Sequence, residues 1–292
     1  MNKKINMLIA LVAVVTLLSG CVSQEALNSP IFFEGGFFTK YIVYPVSWLM
    51  FKLTEISGGY YAVGILFTTL IVRSAGWPIY SKSNDMNIKM QAMQPEQQKI
   101  QAKYAGKSDK ESQMRQQQEI QALYKKYGVN PLGCLLPFLQ MPIFLAIYYA
   151  VRRLPNNVGT GILDLSTIDG NTTFLGMDLL KIVQEELSTN FLYIIIPILT
   201  GATMFLVQYI STSRSKKRDA NTPEYRKNEK SQNMQKQMQM MMYFMVAMMA
   251  FVAYTSPAAL GFYWIIGNSY SLLQTTINFR MADKKMKEMK KY

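Results

Sequence analysis

Histidine is missing from all 292 residues, and cysteine occurs twice, at Cys21 and Cys134. Without histidine there is no Ser-His-Asp triad and no His-based zinc site, and two cysteines make no disulfide framework. No GxxxxGKS or GxxxxGKT loop is present to cradle a nucleotide phosphate. No metal, no cofactor and no enzymatic chemistry are therefore expected. Acidic charge is also scarce: 31 Lys and Arg stand against 18 Asp and Glu, a net charge of +13. What is abundant is apolar surface, 50% of the residues, gathered into blocks that alternate with basic stretches. That alternation predicts an all-α polytopic membrane protein.

The N-terminus has the layout of a bacterial secretory signal, with Lys3 and Lys4 before an apolar run from Ile5 to Leu18. Leu18-Ser19-Gly20-Cys21 follows and resembles a lipobox, which implies cleavage of residues 1–20 and a diacylglyceryl group on Cys21. Residues 21–58 then form a tether and the segment Phe37 to Ile56, aromatic, with Pro45, Lys40, Lys52 and Glu55. This segment is expected to be an amphipathic helix in the outer interface.

Five membrane-spanning helices are predicted at residues 59–80, 131–151, 191–210, 240–254 and 258–279. Only Thr255-Ser256-Pro257 separates the last two, a tight helical hairpin. Residues 81–130 carry nine Lys and Arg against five acids, residues 211–239 eight against three, and the tail 280–292 six against two. The loop 152–190 is acidic instead, so the positive-inside rule places it outside and the three basic segments in the cytoplasm. With an odd number of spans, the mature N-terminus lies outside, in agreement with the lipobox. Arg152 and Arg153 sit at an outer span end, either snorkelling to headgroups or paired with an acid such as Asp164. In residues 81–130, Ser83 to Tyr104 and Lys110 to Tyr127 are rich in helix formers and flank Gly106 to Asp109, which predicts a helical hairpin with few apolar positions.

Arg73 lies inside the first span, where a lipid-facing arginine costs roughly 2.5–3.5 kcal/mol on insertion scales. Either it snorkels or it faces a hydrated pocket. No Asp or Glu occurs in any of the five spans, so water, amides or an external acidic ligand must solvate it. Thr69 lies one turn before Arg73, and Gly76, Trp77 and Tyr80 follow on the same side of a continuous helix. Gln140 sits between Pro137 and Pro142, Gln208 near the end of the third span, and Trp264, Asn268, Ser271 and Thr275 repeat at helical spacing in the fifth. Single amides and hydroxyls often serve as interhelical glue; several stripes around an arginine point to a groove for something negatively charged. Eight methionines between Met234 and Met249 offer an adaptable surface or packing within the bundle. Cys134 is expected as a small apolar side chain.

The strings IVRSAGWP, YGVNPLGCLLPFLQMPIFLAIYYAV, PILTGATMFLVQ and SPAALGFYWIIGNSYSLLQ resemble the YidC membrane protein insertases, over about Tyr60 to Arg280. The lipobox is similar to that of the Gram-positive branch, which includes a sporulation-associated paralogue. The resemblance implies five transmembrane helices around a hydrophilic groove open to the cytoplasm and to lipid. Motif correspondence puts Arg73, Gln208 and Trp264 in that groove; the stripe argument adds Thr69, Gln140 and Asn268. The implied partners are nascent membrane proteins with acidic N-terminal tails, membrane lipids, and the Sec translocon and ribosome, with no DNA. A secondary transporter of an anionic solute is the alternative, disfavoured by the odd number of spans and the lack of intramembrane acids.

Overall fold

The computed structural model describes residues 29–34, 36–104, 106, 109–129, 140–168, 170–220 and 229–289. The signal segment, Cys21, Cys134 and the 131–139 part of the second expected span lie outside the described residues. The chain divides into two compact units, one of Met1–Thr68 with Leu139–Lys181, the other of Thr69–Phe138 with Ile182–Tyr292.

In the first unit a π-helical turn, Thr39–Val43, leads into α1, Tyr44–Ile56. Pro45 cannot donate to the carbonyl four residues back, and the Tyr44 N–H bonds Thr39 instead, widening the helix by one residue. α1 begins the Phe37 to Ile56 segment's regular part and packs on α5, Gln140–Arg153; α2, Tyr61–Ala75, follows after a short turn, belonging to this unit as far as Thr68 and to the second from Thr69. Gly64 of α2 lies so close to Thr54 and the Met50 carbonyl of α1 that a Cβ would clash, the close approach that small residues allow between helices. Tyr61 is fully buried and donates to the Val151 carbonyl at 2.8 Å. Its own N–H takes the Asn171 carbonyl at 3.0 Å, which pins the loop after α5 to the start of α2. That loop carries a two-stranded hairpin, β1 (Thr173–Phe174) and β2 (Met177–Asp178), turned by Leu175 and Gly176, both at positive φ as a two-residue hairpin turn requires.

Among the described residues the expected pairing of Arg152 or Arg153 with Asp164 is not made: Asp164 accepts from Gly159 N–H at 2.6 Å and from the Ser166 hydroxyl at 2.7 Å. Arg153 Nε donates to the Ser29 carbonyl at 2.9 Å and Nη2 to the Pro30 carbonyl at 2.8 Å. Arg152 Nη1 reaches the Tyr148 hydroxyl at 3.2 Å. Asn157 completes a clasp on the tether, accepting from Ile31 N–H at 2.8 Å and donating to the carbonyls of Ile31 and Ile162 at 3.3 and 2.8 Å. Asn157 and Ile31 are both fully buried. Asn157→Ala therefore strands the buried N–H and carbonyl of Ile31, a loss of about 1–3 kcal/mol. A lowered unfolding temperature in detergent and faster proteolysis before Ile31 are expected; an unchanged digestion pattern would mean that the clasp does not hold the tether.

The second unit holds α3 (Trp77–Lys103), α4 (Lys110–Lys126), the short α6 (Val183–Glu186), α7 (Ile195–Ala220), α8 (Glu229–Tyr254) and α9 (Ala258–Met289). The expected continuous helix over 59–80 is interrupted: α2 stops at Ala75 and α3 starts at Trp77 after the turn residue Gly76. Pro78 explains this, since it has no N–H for the Ser74 carbonyl and is tolerated in the first turn of a new helix. The hairpin α3–α4 has more core than its composition suggests. Met93, Leu123 and Val129 are buried there, with Met86, Met90, Ile100, Tyr124 and Tyr127 packed around them.

Two matching clamps close its ends. Lys103 and Tyr104 of the α3 end hold Glu119 at 2.6 and 2.9 Å, and Lys126 and Tyr127 of the α4 end hold Glu96 at 2.8 Å each. The Lys103 and Tyr104 hydrogen bonds keep the Glu119 carboxyl below its ordinary value.

α7 packs against both α8 and α9. Gly261 of α9 meets Ile196 of α7 so closely that a Cβ would overlap Cγ2, and Thr200 lies beside the same glycine. The turn between α8 and α9 is tied to α6 by a Val183 N–H to Ser256 carbonyl bond of 3.2 Å. Among the described residues one helical run, Phe191–Ser213, is long and apolar enough to cross a membrane, while Tyr61–Ala75 and Gln239–Tyr254 are apolar but shorter.

Candidate functional site

Arg73 projects from the last turn of α2 onto α9. Its Nη1 donates to the Ser271 hydroxyl at 2.7 Å. One turn earlier on α9, Gly267 presents bare backbone: a Cβ there would sit 2.6 Å from Nη2 and 3.0 Å from Cζ. The guanidinium thus lies flat against the glycine. One further turn back on the same row lies the buried Tyr263, close to Arg73. Tyr263, Gly267 and Ser271 are spaced by four, so they form one row along the helix, and that row is the seat of the arginine.

This geometry bears on the two expectations for Arg73. A snorkelling side chain extends away from its neighbours, whereas this one is seated on α9 and its Nε is buried without a hydrogen-bond partner among the described residues. No ion pair to Arg73 occurs among them either. A guanidinium held by a hydroxyl against a bare glycine, with donor capacity left over, is suited to binding an anion.

The other expected residues are distributed as follows. Thr69 is buried one turn before Arg73, beside Thr68, whose hydroxyl is also buried with no partner among the described residues. Trp264 is buried on α9. Asn268 is partly committed as interhelical glue, its amide donating to the Thr203 hydroxyl of α7 at 3.3 Å. Gln208 is half-buried on α7. Gln140 is the first residue of α5, in the other unit, and its side chain is outside what is described. Trp77, expected on the arginine side of a continuous helix, belongs to α3 instead, because Pro78 restarts the helix. Its ring meets Tyr270 of α9 edge-on at 6.0 Å, and the Tyr270 and Ser74 hydroxyls share a 2.7 Å bond.

Sequence reasoning found Ser271 and missed Tyr263 and Gly267. The available signal was a glycine in the middle of a polar stripe, four residues from an aromatic and four from a serine. Among the described residues no group of three His, Cys, Asp or Glu is placed to hold a metal ion.

An apolar groove of about 600 Å³ runs between α7 and α8, lined by Ile198, Ala202, Phe205, Val246 and Phe251 among others. Gly201 and Ala250 face each other across its floor, the glycine's missing Cβ being 3.3 Å from Ala250 Cβ. Beside it, Met240, Met241, Met245 and Met248 are exposed. These four are not packed within the described structure.

Comparison with known proteins bears on the whole chain. A family model described as 60Kd inner membrane protein matches residues 52–286. A membrane protein insertase YidC of Oceanobacillus iheyensis is 37% identical over 288 residues, which cover 98% of this chain and all of that protein. YidC 2 of Bacillus anthracis is 34% identical, covering 94% and 92% of the two chains, and the insertase MisCA of Bacillus subtilis is 31% identical, covering 94% and 91%.

Proposed function

The chain belongs to the 60Kd inner membrane protein family, and from that membership we propose that it is a membrane protein insertase of the YidC type. The observation that carries the mechanism is the seat of Arg73: a cation against Ser271 and Gly267, with a buried Nε left to donate. In this reading five helices surround a hydrophilic groove open to the cytoplasm. The acidic N-terminal tail of a nascent membrane protein enters it and is attracted by Arg73, while Thr69, Gln140, Gln208, Trp264 and Asn268 line the polar path.

The attraction is useful because the surroundings are apolar, where a charge interacts more strongly than in water. The client's apolar helix meanwhile lies along the α7–α8 groove and its methionines, a surface that fits varied segments because methionine is flexible and polarizable. Release of that helix into lipid drives the step, contributing about 25 cal/mol per Å² of apolar surface. A membrane potential, outside positive, adds about 2.3 kcal/mol per acidic charge per 100 mV. No hydrolysis is required.

Two further parts of the reading concern place and partners. Cys21 carries the lipid anchor on the outer side, and the clasp of Arg153 and Asn157 on residues 29–31 holds the tether that follows it. The basic tail and the α3–α4 hairpin face the cytoplasm, where the Sec translocon and the ribosome are candidate partners. The test is insertion of a single-span substrate into liposomes containing only the purified protein, with tails of two, one or no acids. A yield above protein-free liposomes, rising with tail acidity, is expected. A yield equal to that of protein-free liposomes would reject the insertase reading.

A further inference from the structure

Asn278 lies seven residues beyond Ser271 on α9, about 20° from it around the helix and about 10 Å further along. It therefore extends the row that seats Arg73. Its side chain is 7% exposed, and neither its Nδ2 nor its Oδ1 has a hydrogen-bond partner among the described residues. Gln274 and Thr275, on the same side, are also buried. Polar groups buried in native proteins are almost always hydrogen-bonded, and an exception calls for a reason. A single unmatched atom is a small defect of packing. A carboxamide with both ends unmatched, in line with the arginine's seat, is a covered donor and acceptor that a peptide group reaches once the side chains over them part.

We propose that Asn278 is a binding site for one main-chain peptide group of the client segment, a second station of the same groove. This rests on the insertase reading above. An Asn amide offers an acceptor oxygen and two N–H donors, the complement of a peptide N–H and C=O. The site is neutral, so it suits an amide in preference to an ion, and it reads no side chain, which fits a device that must serve clients of different sequence. An extended chain rises about 3.3 Å per residue, so a segment with its acid at Arg73 brings the third residue after that acid to Asn278. The main chain of an entering tail has lost water and has no helix or sheet partner yet. A fixed amide on its path supplies one of the missing hydrogen bonds.

The test uses the full-length protein in liposomes and a synthetic single-span peptide with an N-terminal acid. One N-methyl amide is placed at each of the first six positions after the acid, and insertion is read by protease protection. In the wild type, methylation at the third position is expected to lower the rate about fivefold, the worth of one net hydrogen bond, with the outer positions changed less than twofold. Asn278→Leu should lower the rate of the unmethylated peptide by about the same factor and abolish the position dependence; Asn278→Gln should restore most of both. A flat profile in the wild type, with sensitivity to Arg73→Ala intact, overturns the station and leaves the insertase reading standing. A slow Asn278→Leu variant that keeps the wild-type profile makes Asn278 a structural residue and also overturns it. If Arg73→Ala has no effect on the same peptides, the capture step fails, and the station falls with it.

Discussion

Arg73→Ala is expected to lower insertion of a client with an acidic tail by roughly ten- to hundredfold, the equivalent of about 1.5–3 kcal/mol for a hydrogen bond to a charged group. The effect is large because among the described residues no other cation is seated with Arg73: its neighbours on α9 are Tyr263, Gly267 and Ser271, and none of them carries a positive charge. Clients whose tails carry no acid should lose less than about twofold, since only the charged interaction is removed. Arg73→Lys separates two forms of the mechanism. An ammonium keeps the point charge but lacks the planar fork of the guanidinium. Retained activity in lysine therefore assigns the effect to charge alone. Equal sensitivity of acidic and neutral clients to Arg73→Ala would instead show that the arginine supports the fold of the second unit and captures nothing.

The second large effect is expected at Gly267. In Gly267→Ala the new methyl would sit 2.6 Å from Arg73 Nη2 and 3.1 Å from Nε. The atoms in the way belong to the end of a long side chain, which can swing aside at little cost. Stability should thus be kept, or even raised by about 0.5–1 kcal/mol, because alanine is the better residue inside a helix. The guanidinium, however, must leave its seat, and the 2.7 Å bond to Ser271 goes with it. Insertion of acidic-tailed clients is expected to fall about tenfold while the unfolding temperature stays level or rises.

Gly261→Ala is the control. Its methyl would strike Ile196 on the facing helix, and overpacking of that kind costs about 1–3 kcal/mol of stability. The two glycines look alike in sequence, six residues apart, and should give opposite results. Unchanged insertion in Gly267→Ala at normal protein levels would mean that the arginine's seat is not what presents it.

The polar stripe of α9 was readable because helical periodicity puts residues 264, 268, 271 and 275 on one side whatever surrounds them. The same periodicity marked Arg73 as out of place in an apolar run. The motifs between Tyr60 and Arg280 carried the family resemblance, which the match over residues 52–286 shows to be correct. Local chemistry also announced the α3–α4 hairpin, with Asp109 capping α4 by accepting the Ser112 N–H at 2.8 Å.

Partner choice is where this reading stops, because it depends on which helix stands opposite. Arg153 had an acid within a dozen residues and turned instead to the backbone of residues 29 and 30, over 120 positions away. Asn268, read as groove lining, shares its amide with Thr203. Pro78 was visible in the sequence, yet its consequence, a helix restarted at Trp77 so that the indole meets Tyr270, was not drawn from spacing alone.

By itself, then, the sequence determined that the chain is helical and apolar in blocks, that one arginine stands in an apolar run with no acid in it, and to which family the chain belongs. These follow from composition and from the 3.6-residue period, both properties of a single strand of residues. Only the tertiary structure decided that the cation rests on a bare glycine, that a serine holds it there, and that Asn278 is buried with both ends of its amide unmatched among the described residues. Those are facts about distances between helices, and such distances are set by the packing of whole side-chain surfaces, which no local pattern encodes.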